Sequence, residues 1–429
     1  MSCASPEPFQ ISVPQDAIDA VKQKLDATTL PPPAPPSDDS LAYGAPLEDI
    51  THLLEYWKTT YNWKNHEAAL NEELPQFRLD IPVHGHGSLL AHFVHQKAKC
   101  VGQSKAIPLL FIHGWPGSFI EVRKILPLLT SPGRVGDLVF DVVAPSLPGF
   151  GFTSAPGKAG FSLDQYAEAS RIHFIGALLK LATIQFCHHL MLALGYKAYV
   201  VQGGDWGFII SHRIVHRYGP KHVKAWHTNY PKAAGPPTLL GNPLMFLAHH
   251  CTPWTEEEKK SMERNIHIQN TGRAYFTLHS TKPQTLGYLL ADSPVGLLAW
   301  IYEKLVGWTD RYPWTDDEVL TWIHIYLFSH VHSTSSAATS VRIYFEASRA
   351  RDWDALADRR FYNGRVPMGI SVFPRELVVV PSSWHRTLGW VVYSARHARG
   401  GHFAAYERPA ELVADVRGTL QTPQVKARL

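Results

Sequence analysis

The feature that most narrows what this chain can fold into is a five-residue run near its middle, Gly203-Gly204-Asp205-Trp206-Gly207. It follows the β-rich stretch Tyr199 to Gln202 and precedes a helical pattern from Phe208 to Tyr218. Glycines two before and two after Asp205 are what a chain needs to hold one side chain on a strained strand-to-helix turn. The pattern is a G-x-nucleophile-x-G elbow with aspartate where serine or cysteine is commoner. At a helix N-terminus the macrodipole favours the ionised carboxylate. A serine must shed a proton as it attacks, whereas a carboxylate is already charged at pH 7 and can displace a leaving group from an sp³ carbon, giving an alkyl ester of Asp205. Read alone, the same residues also suit an Asp that merely caps a helix after a Gly-Gly turn.

The flanking sequence supplies a sheet for such an elbow. Ile107 to Ile112 is a continuous apolar run, as expected for a parallel strand covered on both faces, and a Gly/Pro turn follows at once. Phe119 to Leu129 reads as a helix, Phe140 to Ala144 as a second strand and Tyr199 to Gln202 as a third, an α/β alternation that predicts a mostly parallel sheet. From about Ala234 to Ala355 only helical patterns rich in Trp, Tyr and Leu run. Strands return at Met368 to Phe373 and Trp390 to Ser394, and Ala410 to Leu420 closes the chain as an amphipathic helix. The first hundred residues read as an arm. Ile18, Val21 and Leu25 mark a helix within Pro14 to Leu30, a proline-rich extended segment follows, Leu47 to Ala69 is a second amphipathic helix, and Phe77 to Ile81 and Leu90 to His95 are short strands. The expected division is an N-terminal meander (1–100), a core in two parts (101–233 and 356–429) and a helical lid (234–355) inserted between them.

Composition excludes several functions. The formal net charge of +4 arises from 41 Lys+Arg against 37 Asp+Glu with the signs interspersed, so no nucleic-acid footprint is present. Cys3, Cys100, Cys187 and Cys251 are scattered singly, which suits a reducing, cytoplasmic setting better than a disulfide framework or a zinc site. No basic and apolar leader is read at the N-terminus, and no Asn-x-Ser/Thr sequon occurs. Ile172 to Leu194 is strongly apolar, but His173, Lys180, Gln185, His188 and His189 interrupt it, so stable membrane insertion is not expected. His84-Gly85-His86, His249-His250 and His330-Val331-His332 lack HExxH spacing, and neither GxGxxG nor a P-loop is found; no metal and no cofactor is expected.

Two further motifs fit the elbow. His113-Gly114-Trp115-Pro116-Gly117 follows the strand ending at Ile112, and the backbone amides of Trp115 and Trp206 would converge on a carboxyl oxygen of Asp205 as an oxyanion hole. In Arg399-Gly400-Gly401-His402-Phe403 a histidine sits on a Gly-rich loop after the last strand, where the base of an α/β-hydrolase fold falls in the order nucleophile, acid, histidine. Glu376, on the loop after the preceding strand, is the acid that would orient His402.

These residues, with Leu147-Pro148-Gly149-Phe150-Gly151-Phe152, HGWPGSF (113–119), GGDWG (203–207) and GGHFAA (400–405), make the chain similar over nearly its whole length to microsomal-type epoxide hydrolases, soluble fungal members in particular. The resemblance implies Asp205 as nucleophile, His402 as base and Glu376 as its acid. It further implies that Tyr275 and Tyr344 in the lid donate hydrogen bonds to the epoxide oxygen, a sensible use of a phenol of pKa about 10 against a poor alkoxide leaving group. The implied reaction takes a small-molecule epoxide and water to a vicinal diol without a cofactor, in detoxification or secondary metabolism; a homodimer is implied as well. A haloalkane dehalogenase with the same Asp nucleophile, and an inactive ligand-binding protein on this fold, are the alternatives. The chain departs from the family at residues 170–186, an insertion just before the nucleophile strand that is either genuine or an artefact of the gene model.

Overall fold

The computed structural model describes residues 5–99, 105–133, 137–162, 182–353 and 362–429. Among the described residues nine strands form one sheet: β1 (Glu7–Phe9), β2 (Gln76–Val83), β3 (Gly87–Gln96), β4 (Ile107–Ile112), β5 (Phe140–Pro145), β6 (Tyr199–Gly203), β7 (Val223–Thr228), β8 (Asn363–Val372) and β9 (Gly389–Arg396). Their spatial order is β1-β2-β3-β5-β4-β6-β7-β8-β9. The three pairings from β1 to β5 are antiparallel, and every pairing from β5 across to β9 is parallel. This is the α/β-hydrolase fold.

The arrangement follows from the residues. Strands β4, β6 and β7 lie in mid-sheet with helices over them; the apolar run of β4 suits that cover, and β6 is buried throughout, its Gln202 included. Within the central four strands, consecutive parallel pairings bring the C-terminal ends of β4 and β6 side by side, Ile112 opposite Gly203. The loops that leave these ends therefore emerge together, the usual place for a site in an open parallel sheet.

Several elements differ from expectation. Strand β7 was not foreseen: Val223-Lys-Ala-Trp-His-Thr228 carries a lysine and a histidine within a short run, and the buried His227 is accommodated by a 3.1 Å hydrogen bond with Ser371. The helix expected over Phe119 to Leu129 is a 3₁₀ turn, Phe119–Val122, and then a short helix, Leu126–Thr130, with a proline in its first turn. The single helix expected over Leu47 to Ala69 is two, Leu47–Thr59 and Trp63–Glu73, because the Asn62 side chain caps the second by accepting from the Lys64 amide at 3.0 Å. The elbow helix begins at Asp205 itself and runs to Tyr218. Helices from Pro243 to Ala350 occupy the chain between β7 and β8. Residues 170–181 of the expected insertion lie outside the described residues. Among the described residues no helix is long and apolar enough to cross a membrane.

The N-terminal arm is fastened to this helical block. The Trp57 indole donates to Nε2 of His324 at 3.2 Å, the ring of Trp63 stacks on the same imidazole at 5.1 Å, and the Tyr61 hydroxyl lies 3.1 Å from that of Thr321. His324 belongs to the buried helix Asp316–Leu327, which in turn reaches the loop after β4. Trp322 donates to the carbonyl of Pro116 and Tyr326 to that of Gly117, each at 2.6 Å.

The elbow tolerates only glycine where the backbones cross. A Cβ on Gly207 would lie 2.0 Å from the Ile112 carbonyl oxygen, and one on Gly203 would lie 2.4 Å from that of Gly207. Gly207→Ala is therefore expected to lower unfolding free energy by about 1–3 kcal/mol through overpacking against rigid backbone. Urea denaturation checks this, and a wild-type midpoint would contradict the packing described.

Candidate active site

Asp205 has φ +49°, in the left-handed region that a non-glycine residue enters only under constraint. The constraint is the turn between β6 and the elbow helix, which aims the carboxylate at the loop leaving β4. Gly114 is needed there, because a Cβ would come within 2.2 Å of Asp205 Oδ1. The Trp115 amide donates to that oxygen at 2.8 Å, and the Trp206 amide donates to the same carboxylate. Burial pushes the Asp205 carboxyl up, while His402 and these two amides pull it down.

His402 follows β9, and its Nδ1 stands 2.5 Å from Oε1 of Glu376, which follows β8. Its Nε2 is 3.6 Å from Oδ2 of Asp205. That is within ion-pair reach but beyond hydrogen-bond length, so the imidazole does not hold a proton of Asp205. Burial would lower the His402 pKa, but the Glu376 carboxylate, its hydrogen bond and the charge of Asp205 together raise it to about 9. The backbone of this loop is fixed by the His402 amide donating to the Trp308 carbonyl at 2.8 Å and by an isolated bridge between Arg375 and Gly401. Arg264 of the helix Glu256–Thr271 donates to the carbonyls of Glu376 and Arg375, so a helix of the block between β7 and β8 holds the Glu376 loop from outside.

Tyr275 and Tyr344 lie on separate lid helices, Ala274–Thr281 and Arg342–Ala350. Their rings are 6.0 Å apart at 83°. Tyr275 stacks on Trp115 at 5.4 Å, and Tyr344 meets Trp206 edge-on at 4.8 Å. Burial, with Asp205 adding to it, pushes both phenols upward, so both stay protonated donors. Both tyrosines line a cavity of about 70 Å³ together with Asp205. All seven residues singled out in the sequence, Asp205, His402, Glu376, Tyr275, Tyr344, Trp115 and Trp206, are thus gathered at one place.

Three residues there were not singled out. Glu121, in the 3₁₀ turn after the β4 loop, accepts from the Gly114 amide, and a Cβ on Gly117 would occupy the position of its Oε1. With Asp205, His402, Gln202 and Asn229 it lines a second cavity of about 10 Å³, room for one water. Gln202 donates to Asn229 at 2.8 Å, but its own Oε1 is buried with no hydrogen-bond partner. Burial pushes the Glu121 carboxyl up to about 8, against the pull of His402. The remaining two, Lys232 and Arg273, line the larger cavity. Glu121 closes the run His113 to Glu121 and could have been read from its distance to the HGWPG turn; nothing local marks Lys232 or Arg273. Among the described residues no group of His, Cys, Asp and Glu could hold a metal ion.

Residues 6–122 match the family model for an epoxide hydrolase N terminus, and residues 107–249 match that for the alpha/beta hydrolase fold. Juvenile hormone epoxide hydrolase 1 of Ctenocephalides felis is 32% identical over 95% of this chain and 84% of its own length. Epoxide hydrolase 1 of Sus scrofa is 31% identical over 96% of this chain and 87% of its own. The solved structure of Aspergillus niger epoxide hydrolase superposes with a TM-score of 0.78 at 31% identity, covering 98% of this chain and 97% of that one.

The raised His402 pKa carries a stability signature. A base whose folded pKa of about 9 exceeds the ordinary 6.5 contributes stability that is complete below pH 6.5 and is lost as pH rises through about 9. Wild-type protein is expected to lose more stability across that window than His402→Gln in parallel urea titrations. Equal losses would mean that His402 is not held as an imidazolium.

Proposed function

Since this chain belongs to the epoxide hydrolase family and converts an epoxide to a vicinal diol through an Asp-linked ester, we propose that Asp205 is the residue that carries the ester and that His402, Glu376, Tyr275 and Tyr344 serve it. The observation that carries the assignment is the placement of Asp205 Oδ2 at 3.6 Å from His402 Nε2 while Oδ1 accepts from the Trp115 amide. One oxygen is free to attack and the other already occupies the position where charge will develop.

In the first step Oδ2 attacks an epoxide carbon, the C–O bond breaks, and the oxygen takes a proton from Tyr275 or Tyr344. Esterification removes the negative charge of Asp205, one of the groups that hold the His402 proton. The imidazolium then loses its proton more readily, and that proton replaces the one given up by the tyrosine. Neutral His402, kept in orientation by Glu376, next deprotonates a water that attacks the ester carbonyl carbon. Oδ1 becomes the oxyanion and receives the Trp115 and Trp206 amides. Collapse passes the proton from His402 to the departing diol oxygen, and the acid left on Asp205 then gives its own proton to the neutral imidazole, which restores the carboxylate and the imidazolium.

The 10 Å³ cavity beside Asp205 and His402 is the natural seat for that water, with Glu121 on its far side as a second acceptor and Gln202 Oε1 as a third. Family membership favours the epoxide over the halide that the same nucleophile could displace. The same reading takes the enzyme as cytoplasmic, on the unpaired Cys187 and Cys251, and as a homodimer, on the resemblance.

Rapid-quench single turnovers with styrene oxide in heavy-oxygen water test the assignment. Label is expected in the Asp205 peptide after one turnover. His402→Gln should accumulate the ester on Asp205, and the Tyr275→Phe/Tyr344→Phe pair should slow ester formation about a hundredfold or more. Glu121→Gln should slow ester hydrolysis about tenfold and leave ester formation less affected. Label in any other residue, or full turnover by His402→Gln, would sink the proposal.

A further inference from the structure

The cavity that holds Asp205, Tyr275 and Tyr344 is also lined by two cations, Lys232 and Arg273. Lys232 follows β7 on the segment that begins at Asn229, and its ammonium lies 4.8 Å from the ring centroid of Trp353, another wall of the cavity. Among the described residues the ammonium has no hydrogen-bond acceptor and no ion-pair partner. Buried or partly buried lysines elsewhere are treated differently: Lys304 pairs with Glu303, and Lys124 with Glu318 at 2.7 Å. Arg273 begins the lid helix Ala274–Thr281 and is solvent-exposed. Its guanidinium donates to Gln269 at 2.8 Å and lies 4.9 Å from the Phe276 ring centroid, again with no carboxylate partner among the described residues.

Placing an ammonium in such a cavity without a counter-charge is costly. Burial and the nearby Arg273 push the Lys232 pKa down to about 8, and among the described residues the carboxylate that opposes this shift is Asp205. Esterification consumes the charge of Asp205. At that stage the described lining of the cavity holds two cations and no anion, an arrangement that destabilises the ester unless the bound molecule brings a negative charge of its own.

We propose that Lys232 and Arg273 form an anion subsite and that the enzyme's substrates are epoxides bearing a carboxylate, held with the acid on these two cations and the ring between Asp205 and the tyrosine pair. This rests on Asp205 as the attacking group and adds the class of substrate. Arg273 at the exposed mouth meets the carboxylate first and steers it inward, and Lys232 receives it within. The unpartnered indole N–H of Trp353 offers a further donor in the same cavity.

The test uses a ladder of terminal epoxy acids, from 5,6-epoxyhexanoate to 10,11-epoxyundecanoate, each against its neutral amide. For at least one chain length, kcat/KM for the acid is expected to exceed that for the amide by about tenfold or more, the worth of a charge-assisted hydrogen bond. The acid-to-amide ratio should fall toward one in Lys232→Met and in Arg273→Met. Ratios near one throughout the ladder in the wild type, or ratios untouched by both substitutions, would overturn the subsite while turnover of the amides left the hydrolase reading intact. If no epoxide were turned over, that reading would fail instead. The subsite would then be judged by calorimetric binding of the acids and amides to Asp205→Asn, where equal affinities would overturn it.

Discussion

The passage of Gly207 beneath the carbonyl of Ile112 is the contact on which the rest of the molecule depends. It lets the elbow helix start with only Gly204 between it and β6, its first turn pressed against the end of β4, and so forces Asp205 into its left-handed backbone. The strain is confined to one residue and is compensated by sheet pairing on one side and a buried helix on the other. The carboxylate then has a fixed position relative to the loop after β4, and the two amides that meet it belong to backbone that cannot move independently of the sheet.

Charge in this pocket is arranged in two groups with different neighbours. On the sheet side Asp205, Glu376 and Glu121 surround one imidazole, and every carboxylate there makes His402 harder to deprotonate. On the lid side the phenols face two cations. Because Asp205 belongs to both groups, any reaction that neutralises it alters both at once: the imidazole is released to act as a base just as the cations lose the charge that opposed them. On the proposed assignment, the attack of a single oxygen thereby prepares the second half of the cycle.

Much of this was legible in the sequence, and the limits are physical. Asp205, Trp115, Trp206 and His402 are marked by glycines that the backbone needs at specific offsets, so short-range sterics point to them. Glu376 follows from chain order. Tyr275 and Tyr344 have no local mark; they sit on aromatic-rich helices where packing and catalysis favour the same residue types, and the family resemblance alone separates them from other tyrosines. Strand β7 was lost because its burial is satisfied through long-range partners, Ser371 above all, and the helix over Phe119 to Leu129 was broken by Pro127 and by the need to bring Glu121 under the β4 loop. Lys232 becomes noticeable only when no described carboxylate is seen to pair with its ammonium.

The N-terminal arm has a bearing on how molecules enter. Trp57, Tyr61 and Trp63 grip the neutral imidazole of His324, whose Nδ1–H is given to the Leu320 carbonyl at 2.6 Å and whose other nitrogen receives the Trp57 indole. Through Trp322 and Tyr326 the same helix bears on the oxyanion loop. The helix Asp316–Leu327 is therefore a buttress rather than a door: swinging it aside would strip the arm from its anchor and unseat the loop whose Trp115 amide meets Asp205. Room for a bound molecule has to be made elsewhere in the pocket lining, which this helix does not enter.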